Sequence, residues 1–341
     1  MEMKAGERIK RIVRGEAVDR LPVIEWAPWW DQTIDRWKQE GLPYSFRYDS
    51  ALAYFNSMRD IQLFFGLDAC VQNFIHVRSN DTPRAPHHGA GILKSPAEYK
   101  EIKKTMFRSP ETLFDSEYFS WVRSTREKGD TIHWFSVEGF FWFPRELFGI
   151  ESHLFSFYDE PDFLMEMCRD YSVWLKNLFE FIGNTINFDF MSFAEDMSYN
   201  HGPMIGKEIF DRFLAPFYRE LIPIIKSMDV PVFIDSDGDI TLAVDWYAQT
   251  GAEGMFPLER QAGVDVASYI EKHPDMCFLG HFDKMCMKHG KQAITEEFER
   301  IMPSAKKGRV IISVDHQTPP DVSLENYFEF VEIFKRYACS I

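Results

Sequence analysis

Eight short apolar segments punctuate the chain between residues 21 and 316, and nearly all end in a carboxylate or a histidine. They read LPVIEWA, LDACVQNF, IHWFSVEG, FDFMSFAED, VPVFIDSDGD, GAEGMFPLE, MCFLGHFD and GRVIISVDH. Each is rich in β-branched or aromatic residues, and most precede a stretch of helical periodicity, the pattern of parallel βαβ units. Eight such units predict an α/β fold, a closed (β/α)8 TIM barrel, with residues 1–341 as a single domain. A barrel of about 250 residues leaves room for additions. These are an N-terminal helical extension over 4–16 and a Pro- and Gly-rich insertion after strand 2, over 77–95. In this fold the chemistry collects at the carboxyl ends of the strands. That rim would carry Glu25, Glu138, Asp196, Asp235, Asp237, Glu259, His281, Asp283, Asp315 and His316, more ionisable groups than packing explains, so an enzyme is expected.

The formal charge of −15 opposes binding to nucleic acid, whose phosphates attract basic surfaces. It also disfavours a polyanionic substrate. The 32 Phe, 13 Tyr and 9 Trp are an unusually large share; part of them must fill a core, and an aromatic-lined cavity is a second use. Five widely spaced cysteines with no CxxC pairing predict free thiols and a cytoplasmic setting. No apolar run approaches the roughly 20 residues of a membrane span, and the N-terminus lacks the apolar core of a signal peptide.

Periodicity predicts two helices within 30–66, the second starting near Ser50, and others over 111–128, 160–184, 206–228 and 322–337. Pro216 and Pro223 should kink the helix over 206–228.

The sharpest local signal is Ile-Asp-Ser-Asp-Gly-Asp at 234–239. Gly238 permits a tight turn at the rim, Asp235 and Asp237 offer hard oxygen ligands to a metal, and Asp239 can cap the next helix. The same residues would also serve as a plain strand, turn and cap. His316 closes the last segment and can act as ligand or proton carrier. Glu138 lies among Trp134, Phe135, Phe140, Phe141 and Trp142, where desolvation favours the protonated acid and suits proton donation. Of Glu195 and Asp196, alternation lets only one face the barrel mouth, and Asp196 is the better placed. Glu138, Asp196 and His316 are therefore the candidate catalytic residues. Glu25, Trp26, Trp134, Phe140, Glu259 and His281 are candidates for substrate contact, and Asp235, Asp237 and His316 for the metal. His87 and His88, in the insertion, are read as uninvolved.

With these residues in hand, the chain resembles the uroporphyrinogen decarboxylase superfamily. ERIKRIVRGEAVDRLPV, VEGFFWFPRELFGIESHLFSFYDEPDFLMEM, FAEDMSYNHGPMIGKEIFDRFLAPFYREL, GAEGMFPLERQAGVDVASY, FLGHFDK and DHQTPPDVSLENY are similar to family blocks in the same order. The resemblance implies the same barrel. The decarboxylases carry an arginine-bearing M-R-Q-A-G-R motif at strand 1, where this chain has EWAPWW. The likeness is thus greater to the corrinoid-dependent methyltransferase branch. Its zinc ligands, a His-x-Cys after strand 5 and a Cys after strand 8, correspond here to Asp235, Asp237 and His316. Oxygen and imidazole ligands suit a divalent metal such as zinc acting as a Lewis acid, and argue against a thiol substrate.

The resemblance therefore implies a methyltransferase moving a methyl group from a small methoxylated or methylamine-like compound to a separate corrinoid protein. The chain itself has no D-x-H-x-x-G corrinoid motif. The alternative is a decarboxylase or lyase acting on an acid anchored by Arg84 or Arg260. A non-catalytic binding barrel is a third possibility, which the number of rim acids disfavours.

Overall fold

Seven of the eight apolar segments form strands that pair in parallel along one curled sheet, as apolar runs buried on both faces do. The computed structural model describes residues 3–87 and 89–341. The strands are β1 (Ala69–Phe74), β2 (Thr131–Glu138), β3 (Phe190–Ala194), β6 (Val232–Asp235), β7 (Gly254–Phe256), β8 (Cys277–Phe282) and β9 (Val310–Val314). Between β3 and β6 lies a small antiparallel hairpin, β4 (Ser198–Tyr199) and β5 (Gly202–Pro203). The expected helices are present, including Ala5–Arg14, Asp31–Gln39, Ala51–Phe65, Pro161–Thr185 and Leu324–Ala338. Ser50 caps the third of these by accepting the Ala53 N–H. The helix expected over 206–228 is not a uniform α-helix. A π-helical turn, Phe210–Leu214, precedes Ala215–Lys226, and Pro223 lies inside the latter.

The expectation of eight strands needs correction. LPVIEWA is extended but joins no ladder. It lies between the two edges of the sheet. Asp68, just before β1, donates its N–H to the Val23 carbonyl, and Ser313 of β9 bonds to both the Ile24 carbonyl and the Trp26 N–H. Pro22 has no N–H to donate, and the Asp68 carboxylate takes the Val23 N–H. Side chains thus occupy groups that a ladder would need, and the seven-stranded sheet forms a half-barrel bridged by an extended segment.

The interior is filled with aromatic rings. Trp134 stacks on Phe190 at 4.8 Å, and Phe256 packs edge-on against Trp26 at 4.9 Å. The helix Ala5–Arg14 lies across the amino ends of the strands. Lys10 bonds to Asp229, ahead of β6, the Ala5 N–H to Gly129, ahead of β2, and Arg309, ahead of β9, to the Val13 carbonyl. With that end capped, the carboxyl ends of the strands are left to carry chemistry. No helix among the described residues is long and apolar enough to cross a membrane. Cys70, Cys168, Cys277, Cys286 and Cys339 are all free thiols.

Candidate functional site

Three strand ends converge. Asp237 follows β6, Glu259 follows β7 and His316 follows β9, and one ligand atom from each lies within 4.8 Å of the others. His316 Nε2 is 3.6 Å from Asp237 Oδ2. The turn that presents Asp237 depends on Gly238, at φ +79, where an added Cβ would come within 2.7 Å of the Tyr199 backbone. The Gly238 N–H donates to Glu259 Oε2 at 3.0 Å, which orients the second acid.

Two further carboxylates border this group. Desolvation raises Asp196 to about 7, with the Asp237 charge adding to it and Arg145 and His316 opposing it. Asp235 is raised well above the usual carboxylate range, first by burial and then by Asp237, Asp196 and Glu259. Glu259 is raised for the same two reasons, burial and then Asp237. Burial pulls His316 down, but its hydrogen bond to Asp237 and the charges of Asp237 and Glu259 outweigh this and leave it raised. Four acids crowd one imidazole, and burial with mutual repulsion pushes Asp196, Asp235 and Glu259 toward their protonated forms. The nearby cations are already engaged. Arg145 donates to the Asp196 carbonyl, and Lys284 bonds to Asp315 and Gln261.

Asp196 and its neighbour separate just past the end of β3, where Asp196 takes a positive φ of 40°. Asp196 reaches the acid cluster, whereas Glu195 turns to the helices and accepts from Tyr218, Tyr247 and the N–H groups of Phe141 and Trp142. Trp26 packs edge-on against His316 at 6.2 Å and anchors its indole N–H on the Val314 carbonyl.

Other expected positions lie elsewhere. The metal-competent trio contains Glu259 in place of Asp235, because the Gly238 turn carries Asp237 beyond the end of β6 toward His316. Glu25 is buried in a network with Thr318 and Tyr327 and has no path to substrate; burial raises it to about 7, against those hydrogen bonds. Trp134 is fully enclosed in the aromatic core. Phe140, beyond the Gly139 turn, stacks on Phe217 at 4.6 Å among the outer helices. His281 also faces the helices, bonding to the Val266 N–H and Arg300, because Gly280 and His281 both take positive φ and break the alternation of β8. Asp283 caps the following turn, and Asp315 is held by Arg260 and Lys284, so both serve structure.

Glu138 is 1% exposed, and its oxygens are taken by His76 Nδ1 at 3.2 Å and the Val77 N–H at 3.3 Å. It therefore cannot meet a substrate itself, which corrects its expected direct role. His76 was missed in the sequence. Its signal is a register: Phe74 pairs with Ser136, so two residues further on His76 stands beside Glu138. His87 is exposed, and His88 lies outside the described residues. The larger surface clefts, such as one of about 870 Å³ lined by Phe328, Ile333 and Arg336, lie outside this acid cluster.

Comparison with known proteins agrees with the resemblance read from the motifs. Residues 191–337 match the uroporphyrinogen decarboxylase (URO-D) family. The chain resembles that superfamily over the stretch that carries Asp196, Asp237, Glu259 and His316. Among solved structures, a methyltransferase from Methanosarcina mazei superposes with a TM-score of 0.71 at 14% identity, over 98% of this chain and 99% of that one. A D-psicose 3-epimerase in the presence of D-fructose gives a TM-score of 0.44 at 7% identity, over 86% of this chain and 93% of that one. At 14% identity the likeness to the methyltransferase is one of fold. No curated protein matches the chain in sequence.

Proposed function

We propose that the chain, as one domain over residues 1–341, is a methyltransferase that takes a methyl group from a small neutral or cationic compound and passes it to a separate corrinoid protein. The observation that carries this reading is the trio Asp237, Glu259 and His316, whose ligand atoms lie within 4.8 Å of one another at the carboxyl ends of the strands. The fold and overall size shared with the Methanosarcina mazei methyltransferase support it.

The trio suits a divalent metal such as zinc. It offers two carboxylate oxygens and one imidazole nitrogen, and three protein ligands leave a position open, as in catalytic zinc sites. When bound, such an ion supplies Lewis-acid assistance to the departing oxygen or nitrogen. The residues themselves do the rest. Asp237 and Glu259 flank His316 and favour its charged form, and Trp26 gives the site an apolar wall. The clustered acids favour a neutral or cationic substrate over a carboxylate. The arginines a decarboxylase would need are elsewhere. Arg84 is exposed in the insertion, and the Arg260 guanidinium bonds to the Val264 carbonyl.

The test is a panel of methoxylated and methylamine-like compounds incubated with the protein and a reduced Co(I) corrinoid protein. Loss of the Co(I) spectrum and growth of methyl-Co(III) are expected with at least one compound. Release of carbon dioxide from a small acid, with no cobalt methylation, would overturn the reading.

A further inference from the structure

We infer that His76 and Glu138 form a carboxylate–histidine dyad in which His76 is the proton carrier of this rim and Glu138 its positioning residue. The inference rests on the methyl-transfer reading and narrows its donor to a methoxylated compound.

The dyad is built by strand pairing. The Ile75 N–H donates to the Ser136 carbonyl, which continues the β1–β2 register past Phe74 and sets His76 against Glu138. Glu138 shares its strand face with Trp134 and Ser136, four and two residues before it, and so belongs to the interior side of the sheet. Its carboxylate is enclosed, whereas the His76 side chain is 56% exposed. The imidazole lies flat on Phe74, with ring centroids 4.4 Å apart and planes 22° apart. A carboxylate can only accept, so Nδ1 is the donor in this contact. Glu138 thereby fixes the tautomer and leaves Nε2 outside this contact on a side chain that is more than half exposed. The other charged group nearby, Arg78, is paired with Glu146 at 2.9 Å, and the Tyr171 hydroxyl donates to the Glu138 carbonyl. Among the described residues, Glu138 is thus the carboxylate paired with this ring.

The chemistry follows. When a methyl ether is cleaved, the C–O bond breaks and its electron pair stays on oxygen, while the methyl carbon accepts an electron pair from the Co(I) acceptor. The oxygen then takes the proton from Nε2 of the His76 imidazolium, leaving a neutral ring that still donates Nδ1–H to Glu138 and regains its proton from water. A methylated ammonium would leave as a neutral amine and need no such proton. The dyad therefore favours an oxygen leaving group over a nitrogen one.

The experiment has two arms. In the first, wild type, His76→Ala and Glu138→Gln are compared in cobalt methylation with a methoxylated donor. His76→Ala should lower kcat by roughly 10²-fold with little change in KM, and added imidazole should restore part of the loss. Glu138→Gln should lower kcat by a smaller factor. In the second, 15N NMR of the histidine rings reads the His76 tautomer without any turnover. The neutral ring should carry its proton on Nδ1 in wild type and shift toward Nε2 in Glu138→Gln. A wild-type ring protonated mainly on Nε2, or an unchanged kcat in folded His76→Ala, overturns the dyad. A wild type that methylates no cobalt with any donor, while the tautomer is as expected, overturns the methyl-transfer reading and leaves the dyad's geometry standing.

Discussion

His316 Nε2 faces Asp237 Oδ2 at 3.6 Å, although one residue follows the last strand of the sheet and the other follows the strand three places earlier in chain order. Only the curl of the sheet brings them together, and Glu259 from the intervening β7 completes the group. Everything proposed for the rim depends on this convergence.

The trio should bind a divalent ion in the purified protein. Removing any one of Asp237, Glu259 or His316 as alanine should reduce bound zinc by at least about tenfold, because each supplies one of three ligands. Asp235→Ala should have a much smaller effect, since its carboxylate lies outside the trio. Elemental analysis after zinc supplementation decides this. Equal metal content in all four variants would leave the acids with a purely electrostatic role.

Glu195 should matter to stability more than to binding. Its carboxylate accepts from the Tyr218 and Tyr247 hydroxyls and from two backbone N–H groups, all buried. Glu195→Ala leaves these donors unsatisfied and should cost about 3 kcal/mol or more in denaturant unfolding, with Glu195→Gln well short of that. A loss below about 1 kcal/mol in the Ala variant would show that water or repacking replaces the acid.

Much of this arrangement was legible in the sequence, and what was not has physical causes. Asp196, Asp237, Glu259 and His316 could be named because each directly follows an apolar run. The first segment was misread because LPVIEWA has a strand's composition, while Pro22 and the side chains of Asp68 and Ser313 deny it a ladder. The aromatic run from Trp134 to Trp142 suggested a substrate wall. Strands buried on both faces give no alternation from which to tell core from mouth, and Trp134 and Phe140 both proved to be packing. His281 was lost to two successive positive φ angles, and His76 to an inter-strand register that composition does not encode.

His153 should make stability fall with acid. Both its ring nitrogens are buried without a partner, between Phe141 and Phe157. Burial, helped by the Arg145 charge, lowers it to about 3. In the unfolded chain a histidine takes its proton near 6.5. The stability due to its neutrality is therefore fully present above that value and is lost as pH falls toward 3. Glu195, raised to about 7 mainly by burial, acts in the opposite sense. Its contribution is full below about 4.5 and is lost as pH rises through 7. Comparing His153→Leu with wild type isolates the histidine. The variant should gain relative stability by about 1.4 kcal/mol for each pH unit below 6.5. A pH-independent difference between the two would contradict the buried, neutral assignment.

The most direct test of the whole account is metal-dependent methylation of a Co(I) corrinoid protein by a methoxylated donor, followed by stopped flow. Chelator-treated protein should lose at least about 10²-fold in rate. One equivalent of zinc should restore it in wild type but not in His316→Ala. Full activity after chelation, or equal restoration in His316→Ala, would contradict the claim that Asp237, Glu259 and His316 form the working centre.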